Sequence, residues 1–115
     1  MKQTKMMKKN YEFRNVLSKG KYYSGKYIEA FIKKSNPQYV NFLGIAIGVK
    51  IAKAVKRNHI KRLIRENYRG VEEIIKSGYS IVFLWKKKAD VKEAKFSNIQ
   101  KDMKTIFDKA KIVKE

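Results

Sequence analysis

The 115-residue chain contains no cysteine, one proline, one histidine and one tryptophan, and its 10 acidic residues are outnumbered by 29 Lys and Arg. Without thiols there is no disulfide framework, no thiolate metal site and no dithiol redox chemistry, which fits a reducing compartment. No stretch approaches the roughly 20 apolar residues that span a bilayer, and the Lys-rich start lacks the apolar run of a signal peptide. A cytoplasmic protein without a membrane partner is expected.

What is present is charge and a core. The formal net charge is +19, and self-repulsion of that size destabilises a lone compact state unless an anionic partner relieves it. Hydrophobic residues still make up 43% of the chain and aromatics 12%, enough apolar surface to offset the entropy of ordering. The length suits one domain that hides roughly two thirds of the unfolded chain's surface.

Residues 1–9 carry four lysines and read as a flexible basic tail, with a single domain over 10–115. A first helix fits Asn10 to Lys19, with Asn10 as N-cap, Phe13, Val16 and Leu17 on one stripe and Gly20 as a left-handed stop. From Lys21 the period changes to two. Tyr27 to Lys33 sets Ile28, Ala30 and Ile32 against Tyr27, Glu29 and Phe31, and Ser35-Asn36-Pro37 supplies a turn. Tyr39 to Val49 then alternates Leu43, Ile45, Ile47 and Val49 against Gly44, Ala46 and Gly48, a small-residue face that receives the first helix or helps form a groove beside it. A second helix fits Ala54 to about Ile75, a buried strand Tyr79 to Trp85, and a final helix starts near Ser97, whose spacing to Gln100 matches a capping box. The expected fold class is α+β, a small mixed β-sheet of three to four strands with helices in the order αβββαβα.

On the second helix Ile60, Leu63, Ile64, Val71 and Ile74 gather on one side, while Arg57, Lys61, Arg62, Arg65 and Arg69 occupy the opposite arc. Lys50, Lys53 and Lys56 precede or open it. Solvated helical faces usually interleave both signs for i,i+4 pairing, and here only Glu66 interrupts the cations from Lys50 to Arg65 and beyond. An unpaired cationic row is the footprint of phosphate-backbone recognition.

The run Lys50-Ile51-Ala52-Lys53-Ala54-Val55-Lys56-Arg57-Asn58-His59-Ile60-Lys61-Arg62-Leu63-Ile64-Arg65-Glu66 closely resembles the signature of the bacterial ribonuclease P protein family. The family core of Arg-Asn-Arg, apolar-Lys-Arg and a further Arg is matched at Arg57, Asn58, Lys61, Arg62 and Arg65, with a departure at His59. Histidine still donates to phosphate but is mostly neutral near pH 7. Asn10 to Gly20 resembles the family's first helix, and Leu43 to Val49 the strand that feeds the basic motif. The resemblance implies a ribosomal S5 domain 2-like fold with a left-handed crossover, against the usual handedness rule. It implies that Lys50, Lys53, Lys56, Arg57, Asn58, His59, Lys61, Arg62, Arg65 and Arg69 bind the catalytic RNA of ribonuclease P. It further implies that Phe13, Leu17, Phe31 and Lys61 bind the single-stranded 5′ leader of precursor tRNA, in a cleft between the first helix and the sheet. Mg2+ for cleavage would be held mainly by the RNA, and no protein partner is required.

Unpaired bases stack on aromatic rings whatever their sequence, which suits Phe13 and Phe31; Leu17 departs from the family's aromatic pattern, and all three also suit a core. A protein nuclease needs a carboxylate cluster for metals, or a general base beside a group that stabilises developing charge. Neither pattern is visible, so no catalytic or metal-ligating residue is expected in this chain. His59 lies within the cation run, and adjacent Glu72 and Glu73 point apart on a helix and suit solvation or pairing with lysines. A ribosomal or other structural RNA-binding protein shares the size and charge but not the Arg57 to Arg65 motif.

Overall fold

Period-two and period-3.6 segments separate into five strands and three helices in the computed structural model, which describes residues 3–35 and 39–114. In chain order these are β1 (Thr4–Met6), α1 (Asn10–Lys19), β2 (Lys21–Ser24), β3 (Ile28–Lys34), β4 (Asn41–Ala46), α2 (Ala54–Val71), β5 (Tyr79–Trp85) and α3 (Phe96–Ala110). Short 3-10 turns at Glu72–Ile74 and Val91–Glu93 follow α2 and precede α3. One mixed sheet runs β1-β4-β5-β3-β2. β1, β4 and β5 pair in parallel, and β3 pairs antiparallel with both β5 and β2. The parallel neighbours β4 and β5 are joined through α2, which makes this the crossover unit of the fold.

The strand count exceeds the expected three to four, and the added strand corrects the expected tail over residues 1–9. Thr4–Met6 pair with the otherwise free edge of β4, Asn41 N–H donates to the Gln3 carbonyl, and Met7 is buried with its N–H on the Leu43 carbonyl at 2.8 Å. A three-residue edge strand is too short to show an alternation, so charge dominated its reading. Residues 36 and 37 of the expected turn lie outside the described residues.

The sheet has two unlike faces. Toward α2 and α3 it presents Ile28, Ala30, Ile32, Leu43, Ile45, Ile81, Phe83 and Trp85, packed on Ile60, Ile64 and Tyr68 of α2 and on Ile99, Met103, Ile106 and Phe107 of α3. This is the main core. Asp102 of α3 is buried and accepts hydrogen bonds from the backbone N–H groups of Lys26 (2.9 Å), Tyr27 (2.6 Å) and Ile28 (3.0 Å), which fastens the β2–β3 turn to α3 by charge-assisted bonds. The other face carries only α1. There Met7, Val16 and Val82 are buried, with Phe13, Leu17, Phe31, Phe42 and Leu84 half-buried around them.

Three expected helix ends differ. Asn10 is already helical, and Lys9 stands at the N-cap with no side-chain cap bond. The Ser97 to Gln100 box does not form, because α3 begins two residues earlier, with Lys95 rather than Ser97 at its N-cap. Gly20 is extended (φ −76°) rather than left-handed, and its role is close approach: a Cβ there would fall 2.6 Å from the Val16 carbonyl oxygen. Beyond α2 the change to 3-10 geometry shifts the helical phase, leaving Ile74 54% exposed rather than in the expected stripe. Glu72 is buried and accepts from Gln3 N–H at 3.4 Å instead of standing in solvent.

Candidate nucleic-acid interface

The register of β3, β5 and β4 lays three rows across the α1 face. The first is Lys33–Ser80–Phe42, the second Phe31–Val82–Gly44 and the third Glu29–Leu84–Ala46. α1 lies over the second row. Its packing depends on the absence of a side chain at Gly44, where a Cβ would come within 2.7 Å of Phe13 Cε1 and 2.9 Å of Met7 Sδ. The small-residue face expected from sequence therefore both receives the helix and leaves a groove beside it.

Each flank of α1 is a depression. On the first-row side Tyr11, Glu12 and Asn15 face Lys33, Phe42 and Ser80, around a cavity of about 640 Å³, and Lys33 Nζ donates to Asn15 Oδ1. On the third-row side Asn10, Phe13 and Arg14 face Leu84, Ala46, Gly48 and Lys61, around a cavity of about 490 Å³. Phe13 and Lys61, expected to share a cleft, do so. Phe31 and Leu17 belong to the same apolar cluster as Phe13. Phe31 lies two strands from Gly44 in its row, about 10 Å away by strand spacing. The groove is thus a strip rather than a single contact of Phe13 with Phe31. Tyr22 extends it toward the sheet edge, with its ring 5.2 Å from Phe31 and its hydroxyl donating to Glu29 Oε2 at 2.6 Å. That bond first, then partial burial and the carboxylate's charge, raise the Tyr22 phenol above its ordinary 10.0, so at neutral pH Tyr22 donates and Glu29 accepts.

α2 meets this groove obliquely. Arg57, Lys61, Arg65 and Arg69 recur at i,i+4 and form one ridge, with Asn58 and Arg62 beside it. The ridge flanks the buried stripe rather than opposing it, since Arg57, Lys61 and Arg65 are half-buried while Asn58, Arg62 and Arg69 are exposed. Helical phase puts Lys56 and His59 away from Lys61, so these two are not brought onto the ridge. Lys50 and Lys53 are exposed before the helix. There α2 has neither a side-chain cap nor an acidic residue in its first turn, so its positive dipole end adds to their charge. Arg57 Nη1 donates to the Ala52 carbonyl at 2.8 Å and pins the loop to the helix, leaving its other donors for a ligand. Among the described residues, Arg65 Nε is buried without a hydrogen-bond partner. Arg62 is not free: its Nε bonds Glu66 Oε1 at 3.0 Å.

Sequence reasoning did not single out Arg14, Leu84, Glu29 or Tyr22. Glu29 and Phe31 share a strand face by alternation alone, and Arg14 follows Phe13, so both were within reach; Leu84 enters only through the strand register. Among the described residues no group of three or more His, Asp or Glu side chains is arranged to hold a metal ion, and no helix is long and apolar enough to cross a membrane.

A small α+β domain with a cationic helical ridge beside a partly aromatic groove defines a class of protein built for a polyanion. Within it, the chain matches the Ribonuclease P family model over residues 1–111. It is 38% identical over 110 residues to the ribonuclease P protein component of Clostridioides difficile strain 630, covering 95% of this chain and 94% of that one. The Staphylococcus aureus RNase P protein superposes with a TM-score of 0.81 at 26% identity, over 94% of this chain and 96% of that one. The Thermotoga maritima RNase P protein shares the fold, with a TM-score of 0.80 at 24% identity over 91% and 96% of the two chains. The chain belongs to the ribonuclease P protein family, and its function is that of a subunit of this endoribonuclease in tRNA processing.

Proposed function

We propose that the α2 ridge binds the catalytic RNA of ribonuclease P while the groove between α1 and the third sheet row holds the 5′ leader of precursor tRNA. The observation that carries this reading is Lys61. It stands in the cationic i,i+4 row of α2 and also lines the groove with Phe13 and Arg14, so one side chain joins the two surfaces. Arg57, Arg65 and Arg69, with Asn58 and Arg62 beside them, contact the RNA backbone, aided by Lys50 and Lys53 at the helix start. Lys56 and His59 act from outside the ridge. Phe13 and Phe31 offer ring faces to unpaired bases, Leu17 fills the wall between them, and Arg14 and Lys61 meet the intervening phosphates.

The protein's part in cleavage is binding and orientation. Mg2+ would be held mainly by the RNA, where it would stabilise charge on the scissile phosphate and activate the attacking water; this chain lowers the repulsion between two polyanions and fixes the leader's path. Nascent tRNA as substrate implies the bacterial cytoplasm as the compartment. The test is binding of precursor tRNA and of mature tRNA to the holoenzyme reconstituted from a bacterial ribonuclease P RNA and this chain. Phe13→Ala and Phe31→Ala, with folding checked separately, should each weaken the leader-bearing RNA by about 5- to 150-fold for a fully stacked base and leave mature tRNA unchanged. Equal loss for both RNAs, or none, rejects the groove as the leader site.

A further inference from the structure

The groove floor ends in a carboxylate that backbone binding does not use. Glu29 completes the row Ala46–Leu84–Glu29, on the side of α1 where Phe13, Arg14 and Lys61 stand. It is half-buried and lies two residues from Phe31 on the same strand face. Among the described residues it forms no ion pair, and Tyr22 is its hydrogen-bond partner. A carboxylate repels phosphate. A strand lying in this groove therefore carries its backbone toward the cations Arg14 and Lys61 and turns a base edge toward Glu29.

We propose that Glu29 reads the Watson–Crick edge of one leader nucleotide and selects guanine there. The inference rests on the leader reading above. An ionised carboxylate only accepts hydrogen bonds, with about four lone-pair sites on two oxygens, of which Tyr22 uses one. Guanine alone presents two donors side by side on that edge, N1–H and the 2-amino group, and pairs with both oxygens at once. Adenine and cytosine offer one amino group beside an acceptor nitrogen that the carboxylate repels. Uracil offers one N3–H between two repelled carbonyls. The Tyr22 bond fixes the carboxylate before the base arrives, so less rotamer freedom is lost on binding. The adjoining Tyr22 and Phe31 rings, 5.2 Å apart, supply the stacking surface that brings the base edge within reach.

The experiment uses the reconstituted holoenzyme and precursor tRNAs whose leaders carry G, A, C or U at each position in turn. One position should favour guanine by about fivefold or more, the lower range of discrimination for a bidentate pair. Inosine there, which lacks the 2-amino group, should lose most of the preference with no change in the protein. Glu29→Gln, shown to fold by its thermal melt, should bind the four leaders nearly equally. Equal binding of all four leaders by the unaltered protein overturns the proposal. So does a Glu29→Gln variant that binds every leader more tightly by one factor, which would make the carboxylate merely repulsive. A failed leader reading looks different, because Phe31→Ala would then leave leader-dependent affinity intact.

Discussion

The two faces of the sheet are made from the same strands and behave as opposites. Toward α2 and α3 the inward positions are almost all Ile, Leu, Ala, Phe or Trp, with Asn41 buried among them and bonded to Tyr68, and two long helices cover most of the face. Toward α1 a single ten-residue helix rests mainly on β3 and β5, with Phe13 reaching Gly44 of β4, so this face is covered only in part. Where coverage is complete a side chain contributes stability. Where it is partial the same kind of side chain remains available to a ligand. Phe83 and Phe31 lie on adjacent strands but on opposite faces, and Phe83 is fully buried in the main core while Phe31 is half-buried beside α1.

That contrast is broken most strongly from the closed side. Phe83→Ala removes a ring packed edge-to-face on Phe107, centroids 5.9 Å apart, and should lower folding stability by about 3 to 5 kcal/mol in denaturant titration. The folded fraction should keep wild-type preference for leader-bearing RNA. Next comes the ridge. Arg65→Ala should weaken binding of the catalytic RNA by about 1.5 to 3 kcal/mol, the range for a charge-assisted bond, and flatten its salt dependence. Lys114→Ala, off the ridge near the C-terminus, should change neither; equal losses at both positions would mean that net charge alone matters.

A smaller change sharpens the comparison from the open side. Gly44→Ala places a Cβ against Phe13 and Met7, and the displaced helix should cost about 1 to 3 kcal/mol of stability. Because Phe13 is the atom group displaced, affinity for the leader-bearing RNA should fall while that for mature tRNA holds. A stability loss with unchanged leader affinity would detach α1 from the groove.

Legibility followed the same division. The bounds of α1 and β5, and the start of α2, were readable because their apolar periods run for several residues, and the Arg57 to Arg65 spacing was specific enough to carry the family resemblance. β1 was hidden because three residues beside lysines carry no period. The helix caps failed where a neighbouring residue took the cap position, since capping residues act only if the helix starts where they stand. In the groove, Phe13 and Lys61 were legible one by one. Their meeting was not, because it follows from α2 flanking its own buried stripe, and the row that joins Glu29 to Leu84 and Ala46 exists only in the strand register. His59 was singled out through its place in a motif, whereas helical phase turns it from the ridge.

The finest comparison lies within α2, between Arg65, which among the described residues has an unsatisfied Nε, and Arg62, which has a partner in Glu66. Arg62 is 74% exposed and precedes its acid at i,i+4, the weaker orientation for such a pair. Its loss in Glu66→Gln should therefore lower stability by no more than about 0.5 kcal/mol. The same substitution removes a negative charge beside the ridge and releases a guanidinium, so binding of the catalytic RNA should strengthen slightly at low salt. The gain should vanish as ionic strength rises, because it comes from exposed charges that salt screens. Weaker binding in Glu66→Gln would reverse the assignment, since it would mean that Glu66 holds Arg62 in the pose that meets phosphate. Measuring the salt slope alongside affinity separates the two outcomes: a released arginine steepens the slope, and a mispositioned one flattens it.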